Sequence, residues 1–354
     1  MTDLAGYTTL GLGGPAKTFV AVSTEADLID AVQAADAAGE PTLLIGGGSN
    51  LVIADDGFPG TVIAIGSRGV SHAADGDGDG GVAVTVAAGE DWDDVVAAAV
   101  ADGLAGLECL SGIPGRAGAT PIQNVGAYGQ EVAEVITTVR VFDRLTGQIS
   151  IIPNERCRFS YRMSMFKGGG PESRRYVVLG VSFRLAREPL SMPVKYAELA
   201  SELGVRMGER AGVGEVRSAV LKIRARKGML LNPGDPDSRS AGSFFTNPVL
   251  SAESLARVEA AARDAAAGAV PRFHAGDGRV KVPAAWLIEH AGFGKGYGAP
   301  GRAQVSSKHT LALINAGGAT TADLLALARE IRDGVRAAFG VTLEPEPTLV
   351  GVTL

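Results

Sequence analysis

The chain has 354 residues, enough at roughly 150 residues per domain for two or three domains with buried cores. With 46% hydrophobic and 20% charged residues it has an ordinary globular composition, which excludes a disordered or fibrous chain, and its 49 glycines fall in aperiodic clusters rather than a collagen period. A formal net charge of −6 argues against a nucleic-acid protein, and Cys109 and Cys157 are too few for a disulfide framework and form no CxxC pair. The first residues, MTDLAGYTTLGLGG, lack the basic and apolar regions of a signal peptide, and no apolar run reaches the roughly 18 residues of a membrane span, so a reducing cytoplasm is the expected compartment.

Taken in chain order, residues 17–22 read as a strand. Residues 25–38 read as a helix with Leu28, Ile29, Val32 and Ala35 at helical spacing. A short apolar strand, 42–45, runs straight into Gly46-Gly47-Gly48-Ser49-Asn50, and 61–65 is a further strand. A strand at 82–86 and an amphipathic helix at 92–104 form a second unit. Strands follow at 138–142 and 176–185, then a helix at 215–227 and a polar Pro/Gly loop at 230–239 that suits a hinge or boundary. The last third predicts a strand around Phe244 and Phe245, helices at 251–267 and 283–290, a strand at 311–315 and a long helix at 321–339. Alternation of strand and helix early in the chain suits an α/β region with ligand at the carboxyl ends of its strands.

Several motifs can be weighed on chemistry alone. Gly76, Gly78 and Gly81 formally match G-x-G-x-x-G, but Asp75, Asp77 and Asp79 would repel a pyrophosphate and no helix follows. The same acidic run resembles the start of a calcium loop, yet Val86 stands where the bidentate carboxylate belongs; an acidic hairpin is the reading kept. His72, His274, His290 and His309 are scattered, and no metal site is expected. No P-loop and no G-x-S-x-G elbow occurs.

The GGGSN run offers consecutive main-chain N–H groups that can converge on one anion; a glycine turn that merely ends a strand is the alternative. Residues 112–129 carry five glycines and two prolines interleaved with Ile and Val. They suit a flat hydrogen-bonding ligand lying against the backbone, or a structural Ω-loop. Tyr161-Arg162-Met163-Ser164-Met165-Phe166-Lys167, Gly242-Ser243-Phe244-Phe245-Thr246-Asn247-Pro248 and Leu343-Glu344-Pro345-Glu346 each admit a structural reading when taken singly.

In order along the chain, LGGPA (12–16), IGGGSNL (45–51), SGIPGRAGATPIQNVGAYG (111–129), YRMSMFK (161–167), AGSFFTNP (241–248), VSSKH (305–309) and LEPE (343–346) resemble the UDP-N-acetylenolpyruvoylglucosamine reductase family, flavoenzymes of peptidoglycan precursor synthesis. The resemblance implies an α+β fold: a two-subdomain FAD-binding region of the vanillyl-alcohol-oxidase-like type, then a smaller α+β substrate domain. The implied layout is 1–186 for the FAD region (about 1–66 and 67–186), 187–239 for linker helices and a substrate loop, 240–340 for the substrate domain, and 341–354 for a strand carrying Glu346 back to the FAD region.

The resemblance also implies FAD as cofactor, NADPH as reductant and UDP-N-acetylglucosamine enolpyruvate as small-molecule substrate, with no nucleic-acid or membrane partner. Cofactor contacts would come from Gly46, Gly47, Gly48, Ser49, Asn50 and Leu51. A second set would come from Ser111, Gly112, Ile113, Pro114, Gly115, Gly118, Ala119, Pro121, Gln123, Asn124, Gly126, Ala127 and Tyr128. Residues 194–199 resemble the substrate loop of the family's longer form, making Tyr196 a substrate contact; Lys227 matches the same form, whereas VSSKH is more like the shorter one. Tyr161, Lys167 and Asn247 complete the expected substrate contacts.

Within that resemblance, hydride goes to C3 of the enol ether and a proton to C2. Arg162, always cationic and able to donate in a fork, suits the charge that spreads into the substrate carboxylate. Ser243 matches the family's proton donor, and Glu346 would share a proton with the substrate carboxyl or position Arg162. A covalently tethered flavin oxidase, with Cys109 as the tether, and a non-catalytic flavin- or nucleotide-sugar-binding protein are the rival readings.

Overall fold

The computed structural model describes residues 1–74, 81–167 and 172–354. The acidic glycine run read as a hairpin falls on 75–80, outside the described residues. The chain forms two compact units. One comprises Met1, Ala16–Gly47 and Pro59–Arg226; the other comprises Thr2–Pro15, Gly48–Phe58 and Lys227–Leu354.

In the first unit, helix Glu25–Ala37 starts where Thr24 accepts the N–H of Asp27 and buries Leu28, Val32 and Ala35. Strand Thr42–Ile45 runs parallel to Phe58–Ile65, pairing Thr42 with Thr61 and Ile45 with Ala64. The main sheet is antiparallel, in the order Gln148–Pro153, Ile136–Asp143, Tyr176–Arg187, Gly81–Ala87, Val70–Ala74. Its inner face packs Val84, Val86, Val139, Val181 and Phe183 against Trp92 and Val96 of helix Trp92–Ala101. That helix is shorter than its apolar period predicts. Gly103 takes a left-handed φ of 68° and turns the chain, and Leu104–Ala105 pairs instead with the strand Tyr176–Arg187.

Two helices close this unit, Ala197–Leu203 and Val213–Arg226, burying Leu199, Val216, Val220 and Ile223 together with Val194. The stretch expected as a loop at 194–199 therefore becomes helical from Ala197, with Tyr196 at its N-cap. Leu199, Ala200 and Leu203 give it an apolar face, and Gly204 ends it at φ 69°.

In the second unit, strands Ser240–Ser243, Ala312–Asn315 and Ala303–Val305 form an antiparallel sheet covered by helix Thr321–Phe339. The helix has the limits its stripe predicts. Thr320 and Asp323 form a capping box at its start, Gly340 takes φ 68° at its end, and Leu324, Ala328, Ile331 and Val335 are buried. The strand expected at Phe244 and Phe245 lies just before them. Both rings are 1% exposed, and neighbouring residues in a strand cannot both face the core. Gly242, at φ 73°, lies within a register shift of that strand, which ends at Ser243, and beyond it both rings are buried, 5.1 Å apart. Leu51–Ile53 pairs parallel with Thr348–Val350, a pairing of three-residue strands too short to show a period.

Candidate active site

The glycine run after Thr42–Ile45 meets the 111–118 loop main chain to main chain. A Cβ on Gly47 would stand 2.7 Å from the Cα of Gly115, and one on Gly46 would stand 3.2 Å from the Arg116 side chain. The partner loop is pinned from below. Gly115 O accepts Trp92 N at 3.1 Å, Ala117 N donates to Glu90 O at 2.9 Å, and Gly118 N donates to Ala88 O at 2.9 Å. Asp93 accepts Gly112 N at 2.6 Å and both guanidinium ends of Arg217 at 2.6 and 2.9 Å, while Arg224 Nε donates to Gly112 O at 3.0 Å. Burial works to raise the Asp93 carboxyl, but the hydrogen bonds from Arg217 and Gly112 outweigh it and hold the group below its usual range. Ser111 is fully buried and donates its hydroxyl to Glu108 O at 2.7 Å.

Further along, Ser160 and Met163 exchange both main-chain hydrogen bonds, so Tyr161 and Arg162 form a two-residue turn. Arg162 takes φ 56°, which costs a non-glycine residue about 1 kcal/mol or more. Its guanidinium stacks 5.2 Å from the Tyr161 ring centre and donates to Gly126 O at 2.6 Å. Asn124 ties this turn to the loop: Nδ2 donates to Ser160 O and Glu131 Oε2, and Oδ1 accepts Ala133 N. Lys167 Nζ donates to Gln123 Oε1 at 3.0 Å. Tyr128 and Tyr196 meet edge to face at 5.4 Å, and burial pushes the Tyr128 phenol up to about 12.

The second unit gathers the other candidates. Gly48, at φ 60°, sits so close to Tyr7 that a Cβ would stand 1.8 Å from its carbonyl oxygen. Glu346 N donates to Phe244 O at 2.9 Å, Phe245 bridges Pro345, and Asn50 Nδ2 reaches Glu346 O at 3.5 Å. Three motifs from residues 50, 244 and 346 thus meet beside Ser243. Asn247 Oδ1 caps Ala284 N at 2.8 Å. Asp237 accepts Ser306 Oγ, Ser307 N and Ser307 Oγ, which fastens VSSKH to the loop after Lys227 through the close approach of Gly228 to Asp237.

Sequence reasoning missed Asp93, Arg217 and Glu131. Asp93 reads as an ordinary acid in a first helical turn, and no spacing pairs it with a residue 124 positions away.

Loops that present glycine main chain on an α/β unit suit a dinucleotide, whose phosphates and flat ring need close backbone approach. The protein is of the FAD-binding oxidoreductase class: residues 16–152 match the family described as FAD binding domain. Residues 235–350 match the family described as UDP-N-acetylenolpyruvoylglucosamine reductase, C-terminal domain. The UDP-N-acetylenolpyruvoylglucosamine reductase of Thermobifida fusca is 54% identical, covering 99% of this chain and 97% of that protein. The enzyme of the same name from Mycolicibacterium gilvum is 52% identical, covering 99% and 95%. The crystal structure of UDP-N-acetylenolpyruvylglucosamine reductase from Thermus caldophilus aligns with a TM-score of 0.64 at 26% identity, covering 99% of this chain and 97% of that one. The chain belongs to the UDP-N-acetylenolpyruvoylglucosamine reductase family. Among the described residues, no helix is long and apolar enough to cross a membrane.

Proposed function

We propose that the chain reduces UDP-N-acetylglucosamine enolpyruvate to UDP-N-acetylmuramate with NADPH, in the cytoplasm, as a step of peptidoglycan precursor synthesis. FAD, when bound, would supply the hydride chemistry that links NADPH to C3 of the enol ether. Residues 46–51 and 111–128 hold and orient that cofactor. Tyr161, Lys167, Tyr196, Lys227 and Asn247 hold the nucleotide sugar.

Arg162 meets the negative charge that builds at C2 and spreads into the substrate carboxylate. Its guanidinium is permanently charged and preorganised by the 160–163 turn, so little reorganisation is needed as charge develops. Ser243 gives its hydroxyl proton to C2. Gly242 keeps the approach open, and the buried rings of Phe244 and Phe245 keep water from the carbanion-like carbon. Glu346 shares a proton with the substrate carboxyl.

The observation that carries this reading is the junction of Asn50, Phe244 and Glu346, which draws the glycine-loop end, the serine motif and the carboxyl-terminal acid onto one edge of the second unit. Anaerobic stopped-flow on Ser243→Ala tests it. Flavin bleaching by NADPH should keep its native rate, while return of flavin colour on adding the enolpyruvyl nucleotide sugar should slow about 100-fold or more. A native rate of colour return would remove Ser243 as the acid.

A further inference from the structure

Glu131 is a carboxylate that the chemistry proposed above does not use, yet it stands beside the residue on which that chemistry leans. The short antiparallel pair Gly126–Ala127 and Gln130–Glu131 sets Glu131 directly across from Gly126. The same Gly126 gives its carbonyl to Arg162 Nη2 at 2.6 Å. The two oxygens of Glu131 have separate tasks: Oε2 accepts Asn124 Nδ2 at 2.7 Å, and Oε1 faces Arg162 Nη1 at 3.9 Å. Asn124 in turn holds Ser160 O, the first residue of the turn that carries Arg162, and its own carbonyl lies 3.5 Å from Arg162 Nη1. Space for the arrangement exists because residue 126 is glycine. A Cβ there would stand 2.8 Å from Glu131 Cγ and 3.1 Å from Arg162 Nη1.

We propose that Glu131 is a positioning residue for Arg162: its carboxylate, braced by Asn124, fixes the guanidinium in the orientation that receives the carboxylate of the substrate. The proposal rests on the reading of Arg162 given above. A carboxylate beside an arginine has two opposed effects. It restrains the guanidinium, which favours binding a second carboxylate in a fork, and it cancels part of the positive field, which opposes such binding. In this geometry the restraint acts through Asn124: Glu131 Oε2 holds its amide, the same amide holds Ser160 O of the turn that carries Arg162, and its carbonyl lies 3.5 Å from Arg162 Nη1, while Oε1 at 3.9 Å forms no direct hydrogen bond to compete with a second carboxylate. The sign of the effect of Glu131→Gln therefore separates the two.

The test uses the FAD-loaded chain and two ligands, UDP-N-acetylmuramate, which bears the carboxylate, and UDP-N-acetylglucosamine, which lacks it. Titration calorimetry should show Glu131→Gln binding the muramate nucleotide about tenfold more weakly, the scale of coupling between neighbouring charged side chains, with affinity for the glucosamine nucleotide within about twofold of native. Arg162→Lys should show the same selective loss, and adding Glu131→Gln to it should cost less than about twofold more. Glu131→Asp, which keeps the charge, should bind the muramate nucleotide within about threefold of native.

Tighter binding of the muramate nucleotide by Glu131→Gln overturns the proposal, as does an equal loss for both ligands or a full additional loss in the Arg162→Lys background. If Glu131→Gln does not retain FAD, Glu131→Asp decides, and a loss as large as that of Arg162→Lys overturns the proposal. If Arg162→Lys itself leaves both affinities unchanged, the role given to Arg162 fails. If it weakens only the muramate nucleotide and Glu131→Gln weakens neither, only the role of Glu131 fails.

Discussion

Asp93 accepts both ends of the Arg217 guanidinium, at 2.6 and 2.9 Å, and the N–H of Gly112 at 2.6 Å. One carboxylate thus joins helix Trp92–Ala101, helix Val213–Arg226 and the loop proposed to hold the flavin. Replacing Arg217 by Met removes the fork and leaves a part-buried carboxylate short of partners. Flavin affinity should fall about tenfold, from loss of loop positioning, with the secondary structure retained. Titration of the apo chain with FAD, followed by flavin fluorescence quenching, measures it; unchanged affinity would separate Asp93–Arg217 from the loop.

Two aspartates of the first unit are held below the usual value of 3.8: Asp143 by the hydrogen bonds of Arg175, and Asp93 by Arg217 and Gly112 against the opposing effect of burial. A carboxyl whose folded pKa is depressed adds stability above its unfolded pKa and loses it as pH falls towards the folded one. Unfolding free energy should therefore be insensitive to these two groups above about pH 5 and fall steadily below about pH 4. Asp143→Asn should lower stability at neutral pH and flatten the acid limb. Urea titrations from pH 3 to 7 check both, and an acid limb as steep as native would assign the loss elsewhere.

Gly47 faces Gly115 with no room for a methyl group, since a Cβ would lie 2.7 Å from main-chain Cα. Gly47→Ala must push the two loops apart. The expected outcome is at least about a tenfold loss of flavin affinity, since the backbone surface proposed for the cofactor is displaced. Gly39→Ala is the control: its left-handed φ of 64° is strained by a Cβ too, but no atom lies near. It should cost stability while sparing flavin affinity. Equal effects on flavin binding would assign the Gly47 result to general destabilisation.

Cys109, next to the loop proposed to hold the flavin, is buried, and desolvation pushes its thiol far above the usual range, with Glu108 adding to the shift. The thiolate needed to bond a flavin carbon is therefore scarce. Acid precipitation of the yellow protein should leave flavin in the supernatant and a colourless pellet. Colour retained by the chain would restore the tethered-oxidase reading.

Much was legible because it was local. The stripe from Leu324 to Val335, with Thr320 before it and Gly340 after it, marks both ends of the helix Thr321–Phe339. The apolar run at Thr42–Ile45 ends at its glycines. The seven motif blocks, taken in order, were enough to point to the family, because each combines residue types whose chance recurrence in one order is remote.

Other features had no local signature. Phe244 and Phe245 look like strand residues, but the strand ends at Ser243 and both rings are buried in the core. Tyr196 looks like a loop residue until the helix after it finds Val216 and Val220 to pack against. Strand Leu51–Ile53 exists because Thr348–Val350 comes to it across nearly the whole chain. By itself the sequence determined periodicity, turn chemistry and which residues carry reactive groups, all properties of neighbouring side chains and allowed backbone angles. Tertiary structure alone decided that Asp93 meets Arg217, that Glu131 faces Arg162 and that Glu346 lies against Phe244. Those partners are chosen by burial and hydrogen-bond completion across long stretches of chain, where sequence spacing carries no information.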